Sequence, residues 1–360
     1  MYTYADALAA RGHEVVVAHP RESLLKSLRY RLDVDPDRES RGGAAGDADL
    51  AAERLRSESG ADPHPWYRSR PDVRNLVVPT LDEGHLGGPF DVTVVNNRLS
   101  VPWAQSYSTR MGSRVYFLQD YESYMLGDAA EREEARRTLH VGWPIVCTSL
   151  AGTRLVEEAG GSCHLIRNVV DTSLFRPFVP VDSDQRTLIG FPARAEGTKR
   201  TYDAVRAAEL ARPHLPPRLG FWCFGYERMP GLPPWVTHHV APDDARLAEL
   251  YNHSKLFLVP SEFEGFGRPG AEAMACGAAL ISTRNGGVET YAADGETAVL
   301  CDPRAPEQMA AAIRRLLGDE GERRRLARRG AENIARWGLA DAVARFESLL
   351  MAEAAKREAR

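Results

Sequence analysis

Short apolar runs alternate with longer amphipathic stretches along nearly the whole chain, and each run has the length of a buried strand. The runs are Glu14–Pro20, Arg74–Thr80, Asp91–Asn97, Ser113–Asp120, Pro144–Ser149, Cys163–Asn168, Arg186–Ala193, Leu219–Gly225, Lys255–Ser261, Ala278–Thr283 and Thr297–Pro303. Strands that alternate with helices predict parallel sheets covered by helices on both faces. The pattern therefore predicts an α/β protein.

The strand runs fall into two sets, which a proline-rich, polar segment at Asp171–Gln185 separates. A chain of 360 residues is also too long for one ordinary core. We therefore expect two doubly wound, Rossmann-like domains, residues 1–178 and 179–337. Residues 338–360 have a helical pattern with one apolar face. We expect this last helix to pack back onto the N-terminal domain.

Two stretches depart from the regular pattern. Asp35–Pro65 is rich in Asp, Arg, Gly, Ala and Ser, so we expect a mobile excursion with at most a short helix. The chain also begins inside a predicted helix, because Tyr4, Leu8 and a turn at Gly12 lead directly into the first strand run. A doubly wound domain usually opens with a strand and a glycine-rich loop. Without them we expect an exposed strand edge and an incomplete anion site.

Composition narrows the class of protein. Apolar residues make up 43% of the chain, charged residues 27%, and the net charge is −4, which describes a soluble globular protein and gives no case for a nucleic-acid partner. The five cysteines are scattered without metal-site spacing, which indicates reduced cysteines of a cytoplasmic protein. The sequence contains no apolar run of about 18 residues and no signal peptide, so we expect no membrane span.

The segment Glu262–Gly277 combines a turn, a helix start and two carboxylates. Pro269 suits the first turn of a helix, whose free N–H groups attract anions. Gly265 and Gly267 allow an anionic ligand to approach the main chain closely. Glu272, one turn into the helix, can accept hydrogen bonds from two neighbouring hydroxyls, as on a ribose, and Glu264 can bind a second polyol. The segment predicts a site for a nucleoside-diphosphate sugar.

These residues carry a family resemblance. Ser261–Pro303 resembles the donor-site signature of the retaining GT-B glycosyltransferases of family four, in which a Glu-x7-Glu pair precedes a small-residue helix and a Gly-Gly loop. His164–Pro177 is similar to the family's hinge, and Arg114–Tyr124 to a rhamnosyltransferase-like branch. The resemblance implies two Rossmann-like domains that face each other across a cleft. It also implies donor contacts from the residues of the turn and helix, namely Glu264, Gly265, Phe266, Gly267, Arg268 and Glu272.

Arg194 and Lys199 follow the first strand of the second set. The resemblance identifies them as the basic pair that binds the donor diphosphate. Breaking the sugar–phosphate bond places negative charge on the leaving group, and fixed cations stabilise that charge in the transition state. For a retaining enzyme the resemblance further implies front-face transfer without a protein nucleophile and without a metal or other cofactor.

The acceptor side is expected at the ends of strands in the first domain. Gln119, Asp120, Tyr121 and Glu122 follow one strand run, and Asn96 and Asn97 follow another. Gln119 can hydrogen-bond a sugar but cannot take a proton, so Asp120 is the better candidate to orient or deprotonate an acceptor hydroxyl. Helix capping by Asp120 and Glu122, and turn formation by the two asparagines, stay open as alternatives.

Three other patterns have simpler interpretations. Asp33-Val34-Asp35 and Asp182-Ser183-Asp184 are expected to be solvated acids rather than metal ligands. His238-His239 lacks ligand spacing, and a strand or loop position explains it, although a place near the nucleotide base stays open. The arginine run Arg323–Arg329 is typical of a solvated helix face, with a weak peripheral membrane contact as the alternative.

The sequence is compatible with three functions. The first is transfer of a hexose or deoxyhexose from a nucleoside-diphosphate sugar to a glycan, a lipid-linked sugar or a small molecule. The second is a transferase-like binding or partner protein that has lost its activity. The third is a glycoside hydrolase that uses Glu264 and Glu272 as acid and nucleophile, which leaves Arg194 and Lys199 without a role.

Overall fold

The computed structural model describes residues 2–21, 70–119 and 128–358. The expected excursion Asp35–Pro65 and the candidate residues Asp120, Tyr121 and Glu122 lie outside these ranges. The elements of the N-terminal half are α1 (Tyr2–Ala10), β1 (Val15–Pro20), β2 (Val73–Val78), α2 (Glu83–Leu86), β3 (Val92–Val95), α3 (Val101–Gln105), β4 (Ser113–Leu118), α4 (Ala129–Arg137), β5 (Ile145–Cys147), α5 (Leu150–Glu158) and β6 (Cys163–Leu165).

The C-terminal half continues the alternation of strands and helices. Its elements are β7 (Leu188–Pro192), α6 (Thr201–Ala211), β8 (Gly220–Gly225), β9 (Val236–Val240), α7 (Asp244–Asn252), β10 (Ser254–Val259), α8 (Arg268–Ala275), β11 (Ala279–Thr283), β12 (Ala298–Cys301), α9 (Pro306–Gly318), α10 (Glu320–Ala335) and α11 (Leu339–Glu358). Each apolar run predicted from the sequence coincides with one of the strands, although β2 and β10 each begin one residue before their run. The predicted α/β class with parallel sheets is therefore confirmed.

The strands form three parallel sheets. In the C-terminal half, six strands lie in the order β12-β11-β10-β7-β8-β9. In the N-terminal half, β3 to β6 form a four-stranded sheet in chain order, and β1 pairs with β2 in a separate sheet. Within the described residues, β1 and β3 each have one strand neighbour.

The central strand β10 shows why the C-terminal sheet is buried on both faces. Leu256 and Leu258 belong to the core cluster on one face, and Phe257 and Val259 belong to the cluster on the other. Side chains of a strand alternate between its faces, so a strand with helices on both sides must be apolar at every position. This packing fixes the carboxyl end of β10, from which the turn Ser261–Gly267 begins.

The last helix, α11, packs against the N-terminal sheet. Phe346 lies with its ring centroid 5.1 Å from that of Phe117 on β4 and 5.4 Å from that of Tyr4 on α1. Val343 and Ala342 join the same buried cluster. Aromatic pairs at these distances add to the free energy of burial, by roughly 0.5–1.5 kcal/mol each.

The segment between the two halves packs on the C-terminal core. Val170 and Phe175 lie in a core cluster there, and Val179 and Arg186 are buried. The guanidinium of Arg186 donates only to main-chain carbonyls, those of Val179, Pro180, Tyr251, Ser254 and Cys276. Burial, helped by the nearby charge of Arg323, lowers the pKa of Arg186 to about 10. Arg186 thus fastens the connecting segment to the C-terminal domain.

The chain crosses between the halves twice, and the two crossings touch. Arg167 follows β6 at the first crossing, and Trp337 precedes α11 at the second. The guanidinium carbon of Arg167 lies 4.6 Å from the centroid of the Trp337 ring, within the range of a cation–π contact.

Two sequence expectations need correction. Arg323, at the start of the arginine run, is buried rather than solvated, because it bridges the carboxylate of Glu320 and the carbonyl of Val181. Val236–Val240 was not among the predicted strands, yet it forms the edge strand β9, which contains His238 and His239. Two histidines interrupt its apolar pattern, and it pairs on only one side.

Candidate functional site

A cleft of about 250 Å³ opens at the carboxyl edge of the six-stranded sheet. It lies between the ends of β7 and β10, which are neighbours in the sheet although β8 and β9 separate them in the chain. From β7 the chain continues to one side of the sheet and from β10 to the other, which makes this the topological switch point, where such sheets bind ligands. The lining residues are Pro192, Arg194, Glu196, Lys199, Val259, Ser261, Glu264, Gly267 and Pro269.

Lys199 and Glu264 meet across this cleft. The Nζ atom of Lys199 lies 3.0 Å from Oε2 of Glu264, and both side chains are mostly buried. Lys199 also donates to the carbonyl of Phe263, at 3.5 Å. The loop that carries Lys199 is held to the turn by a main-chain bond of 2.7 Å from Glu262 N to the carbonyl of Thr198. The two residues predicted from separate motifs are therefore in direct contact.

Arg194 is oriented by its neighbours on β8 and α6. Its guanidinium carbon lies 4.5 Å from the ring centroid of Tyr226, which directly follows β8. The hydroxyl of Thr201 accepts from the amide of Arg194 and donates to its carbonyl, both at 2.8 Å. The Tyr226 ring fixes the side chain of Arg194, and the Thr201 hydroxyl fixes its main chain. Arg194 would therefore lose little conformational entropy on binding an anion in the cleft.

The turn ahead of α8 has the backbone geometry that its glycines predict. Gly267 has φ +83°, in the left-handed region that favours glycine. Its carbonyl accepts a hydrogen bond of 2.9 Å from the hydroxyl of Tyr291. A Cβ atom on Gly270 would lie 2.5 Å from the same hydroxyl oxygen, so a larger residue there would displace Tyr291. Phe266 packs its ring 5.0 Å from that of Tyr291, inside the core. A donor contact at Phe266 would therefore come from its main chain.

The loop Asn285–Gly287 supports this turn from behind. The amide of Glu264 donates to the carbonyl of Asn285 at 2.9 Å, and the side chain of Asn285 accepts from the amide of Val288 at 3.0 Å. A Cβ atom on Gly287 would lie 2.8 Å from the carbonyl oxygens of both Glu264 and Phe266. Sequence reasoning noted the Gly-Gly pair but missed Asn285, whose role depends on a contact that only the fold creates.

Glu272 lies beside the cleft rather than in its lining. Its carboxylate is buried and accepts hydrogen bonds from Arg268, at 2.8 Å, and from the hydroxyl of Tyr251, at 3.4 Å. Burial raises the pKa of Glu272, and the charge of Arg268 partly offsets that effect. The Arg268 side chain is 58% exposed, so it can move toward solvent and release one carboxylate oxygen. Gly265, Phe266 and Arg268 also lie outside the lining.

The described residues among the acceptor-side candidates lie at one edge of the N-terminal sheet. Gln119 directly follows β4, and Asn96 and Asn97 directly follow its neighbour β3. Both asparagines are exposed, and Oδ1 of Asn97 accepts from the amide of Leu99 at 2.8 Å. Asn97 therefore caps a short 3-10 helix, as the turn interpretation predicts, while Asn96 and Gln119 lie close to the end of the same sheet.

Neither a metal cluster nor a membrane span is found in the described ranges. No three His, Cys, Asp or Glu side chains in residues 2–21, 70–119 and 128–358 are grouped in a way that could hold a metal ion. The helices in these ranges also lack the combination of length and apolar character that crossing a bilayer requires.

Comparison with known proteins defines the class of this chain. Its fold is similar to that of sucrose-phosphate synthase from Thermosynechococcus elongatus, with a TM-score of 0.71 and 17% identity over 97% of this chain and 91% of that one. It is also similar to Anabaena HepE in complex with UDP-glucose, with a TM-score of 0.66 and 18% identity over 78% and 86% of the two chains. The fold is of the GT-B class, with two Rossmann-like domains.

Sequence comparison gives the family. Residues 231–333 match the family model for glycosyl transferases group 1. D-inositol 3-phosphate glycosyltransferase from Nocardiopsis dassonvillei is 33% identical over 308 residues, which are 75% of this chain and 68% of the relative. The enzyme of that name from Xylanimonas cellulosilytica is 29% identical over 224 residues, 55% of this chain and 53% of the relative, so the match spans about half of its length. The chain belongs to the group 1 glycosyltransferases.

Proposed function

We propose that this protein transfers a hexosyl or deoxyhexosyl group from a nucleoside-diphosphate sugar to a hydroxyl acceptor, with retention of configuration and without a metal ion. The observation that carries the proposal is the meeting of Arg194, Lys199 and Glu264 in one cleft at the switch point of the C-terminal sheet. A pair of cations, a polyol-binding carboxylate and the start of a helix are the groups that such a donor requires.

The charges in the cleft match the charges that develop during transfer. When the sugar–phosphate bond breaks, negative charge grows on the leaving diphosphate, and Arg194 and Lys199 are already in place to stabilise it. The ion pair with Glu264 holds the ammonium of Lys199 in position until the donor arrives. The turn at Gly267 leaves the start of α8 close to the same point, where its dipole adds a further favourable term.

The similar proteins support the class of donor and the class of acceptor. UDP-glucose in the complex of the similar Anabaena protein supports a nucleotide-sugar donor, and the name of the Nocardiopsis relative supports a hydroxyl acceptor. Gln119 and Asn96 are proposed to contact the acceptor, and Asp120, Tyr121 and Glu122 follow on the same chain segment. The rhamnosyltransferase-like branch remains part of the proposal through the stretch Arg114–Tyr124 alone.

Calorimetric titration with UDP, GDP, ADP and dTDP tests the site. Arg194→Ala and Lys199→Ala should each lower the affinity for the most tightly bound nucleotide about 10-fold or more, as expected for loss of a charge-assisted hydrogen bond. Arg212→Ala is the matched control, because Arg212 also lies over an aromatic ring, that of Trp235, 5.3 Å away, but in the turn after α6 at the opposite edge of the sheet. Unchanged affinity in both cleft variants would overturn the proposal.

Transfer itself is tested by incubating the protein with a panel of donor sugars and acceptors. NMR of the product gives the anomeric configuration, and addition of EDTA tests the need for a metal. Inversion of configuration, or loss of activity with EDTA, would contradict those parts of the proposal. Release of free sugar from a glycoside without any nucleotide would favour a hydrolase, although Glu264 and Glu272 are each paired with a cation here.

A further inference from the structure

The hydroxyl of Ser261 lacks a hydrogen-bond partner although it is buried. Ser261 is 1% exposed, and it is the one buried hydroxyl without a partner in the part of the chain that the structure describes. The neighbouring buried hydroxyls of Ser282 and Thr283 both donate to main-chain carbonyls. A buried donor with no acceptor costs its desolvation free energy, so such a group calls for an explanation.

The position of Ser261 is held from both sides. Its carbonyl accepts a hydrogen bond from the hydroxyl of Thr283, and the amide of the next residue, Glu262, donates to Thr198 at 2.7 Å. These contacts join Ser261 to β11 and to the loop that carries Lys199. The main chain of Ser261 therefore cannot shift easily, and its side chain has only the rotation of its own bonds with which to find a partner.

The surroundings of Ser261 indicate what that partner is. Ser261 lines the same cleft as Arg194, Lys199 and Glu264, two residues beyond the end of the central strand β10. Two cations beside a neutral O–H donor favour an anionic oxygen, because a hydrogen bond to an ionised acceptor is about twice as strong as one between neutral groups. A diphosphate offers such oxygens, whereas an apolar group would leave the hydroxyl unsatisfied.

We infer that the Ser261 hydroxyl donates a hydrogen bond to an oxygen of the distal phosphate of the donor diphosphate, the phosphate that is bonded to the sugar. The inference rests on the proposed function and extends it by one residue that contacts the substrate. Because the main chain of Ser261 is fixed before the nucleotide sugar binds, its hydroxyl is preorganised to donate a hydrogen bond to the leaving group. This hydrogen bond acts in addition to the two cations.

Calorimetry on Ser261→Ala shows whether the hydroxyl contacts the distal phosphate or the phosphate next to the ribose. The probe is whichever of UDP, GDP, ADP and dTDP binds the native protein most tightly, together with the monophosphate of the same base. Affinity for the diphosphate should fall about 10-fold or more, as for loss of a hydrogen bond to a charged group, while affinity for the monophosphate should change less than about 2-fold. Ser261→Cys, which keeps the size but is a weak donor, should behave like Ser261→Ala.

Ser254→Ala is the matched control, because it removes another buried hydroxyl, from the strand that leads to Ser261. Ser254 begins β10 at the far edge of the sheet, where its hydroxyl is bonded to Leu250 and Trp222. This variant should unfold at a lower temperature but bind the diphosphate as the native protein does.

Three results would overturn the inference while leaving the proposed function intact. In the first, Ser261→Ala and Ser261→Cys bind the diphosphate as tightly as the native protein does. In the second, affinity falls equally for the diphosphate and the monophosphate. In the third, affinity falls only for the intact nucleotide sugar. If instead the native protein binds none of the nucleotides, or Arg194→Ala and Lys199→Ala bind them normally, the proposed function itself fails.

Discussion

At the scale of single residues, Glu272 combines a predicted binding role with an energetic cost. Its carboxylate is buried, and burial raises its pKa although Arg268 and Tyr251 donate to it. A carboxyl group with a raised pKa in the folded state destabilises the fold once it is ionised. Its contribution to stability is therefore lost as the pH rises through that pKa. Binding sites commonly retain such costs because the ligand uses the charge.

We predict that Glu272→Gln makes the protein more stable at neutral pH and weakens its binding of nucleotides. Removing the buried charge should raise the melting temperature by about 2 °C, since the exposed Arg268 can turn to solvent. The difference from the native protein should shrink as the pH falls. Nucleotide affinity should drop about 10-fold, because an amide cannot accept with two oxygens. Thermal melts across pH and calorimetry measure both effects.

Glu249→Gln is the control for Glu272→Gln. Glu249 is half-exposed on α7 and pairs with Arg246 of the same helix, so neither stability nor affinity should change measurably. If Glu272→Gln binds the nucleotide as tightly as the native protein, Glu272 does not bind the ribose.

The sequence was sufficient to select those residues of the candidate site whose chemistry is local. Glu264 and Glu272 stand at fixed spacing around a turn, and Arg194 and Lys199 follow a strand, so sequence position and residue type were sufficient to select them. Ser261 and Tyr226 could not be selected in this way. An unpartnered hydroxyl and a ring beneath a guanidinium are defined by contacts between distant segments, and neither residue type is unusual at its position.

At the scale of elements, the turn before α8 and the loop after β11 form one packed unit. The turn presents Glu264 and Gly267 to the cleft, while the loop contacts it from behind through Asn285 and Gly287. Gly287 has an ordinary φ of −77°, so glycine is required there for space and not for backbone conformation. The position of the turn before α8 thus depends on Gly287, which lies outside the cleft lining.

We predict that Gly287→Ala displaces the turn and lowers nucleotide affinity. The added methyl group would lie 2.8 Å from the main chain of Glu264 and Phe266, which must then separate from the loop. We expect a loss of stability of about 1–3 kcal/mol, typical of overpacking, together with weaker binding. Chemical denaturation and calorimetry measure the two effects.

Gly318→Ala is the matched control for Gly287→Ala. A Cβ atom on Gly318, at the end of α9, would meet no atom within 4 Å, so its stability and affinity should stay close to native. Native affinity in Gly287→Ala would show that the loop does not position the turn.

The buried strands could be predicted from the sequence more completely than the edge strand and the long-range contacts. Continuous apolar runs such as Leu256–Val259 mark a strand that is buried on both faces, and each such run was found. Val236–Val240 was missed because it is an edge strand whose two histidines break the pattern. Arg323 was misjudged because a run of arginines is usually exposed, and nothing local reveals its contact with Val181.

At the scale of the whole molecule, a hydrogen bond between Leu150 and Thr290 joins the N-terminal half to the C-terminal half. The amide of Leu150, the first residue of α5, donates to the buried hydroxyl of Thr290 at 3.0 Å. Thr290 belongs to the short helix Val288–Thr290, which follows the Gly-Gly loop. The two domains therefore meet close to the loop that supports the turn Ser261–Gly267.

We predict that Thr290→Val uncouples this contact, whereas Thr290→Ser preserves it. Valine has the shape of threonine but no hydroxyl, so the amide of Leu150 should lose its hydrogen-bond partner. The free energy of unfolding should fall by about 1 kcal/mol. Hydrogen exchange followed by mass spectrometry should show faster exchange at Leu150 in Thr290→Val alone. Equal protection in both variants would mean that the hydroxyl does not hold the halves together.

The fixed connecting segment and the stacked pair Arg167–Trp337 together determine where the molecule can bend. Ile166 is buried in the N-terminal cluster, whereas Val170 and Phe175 are buried in the C-terminal one, so a bend on the first crossing must fall between Ile166 and Val170. The second crossing runs alongside, at Trp337. An opening motion would thus be a hinge rotation about an axis near the Arg167–Trp337 contact. A small rotation at this axis would produce a large displacement at the parts of the two domains that lie farthest from it.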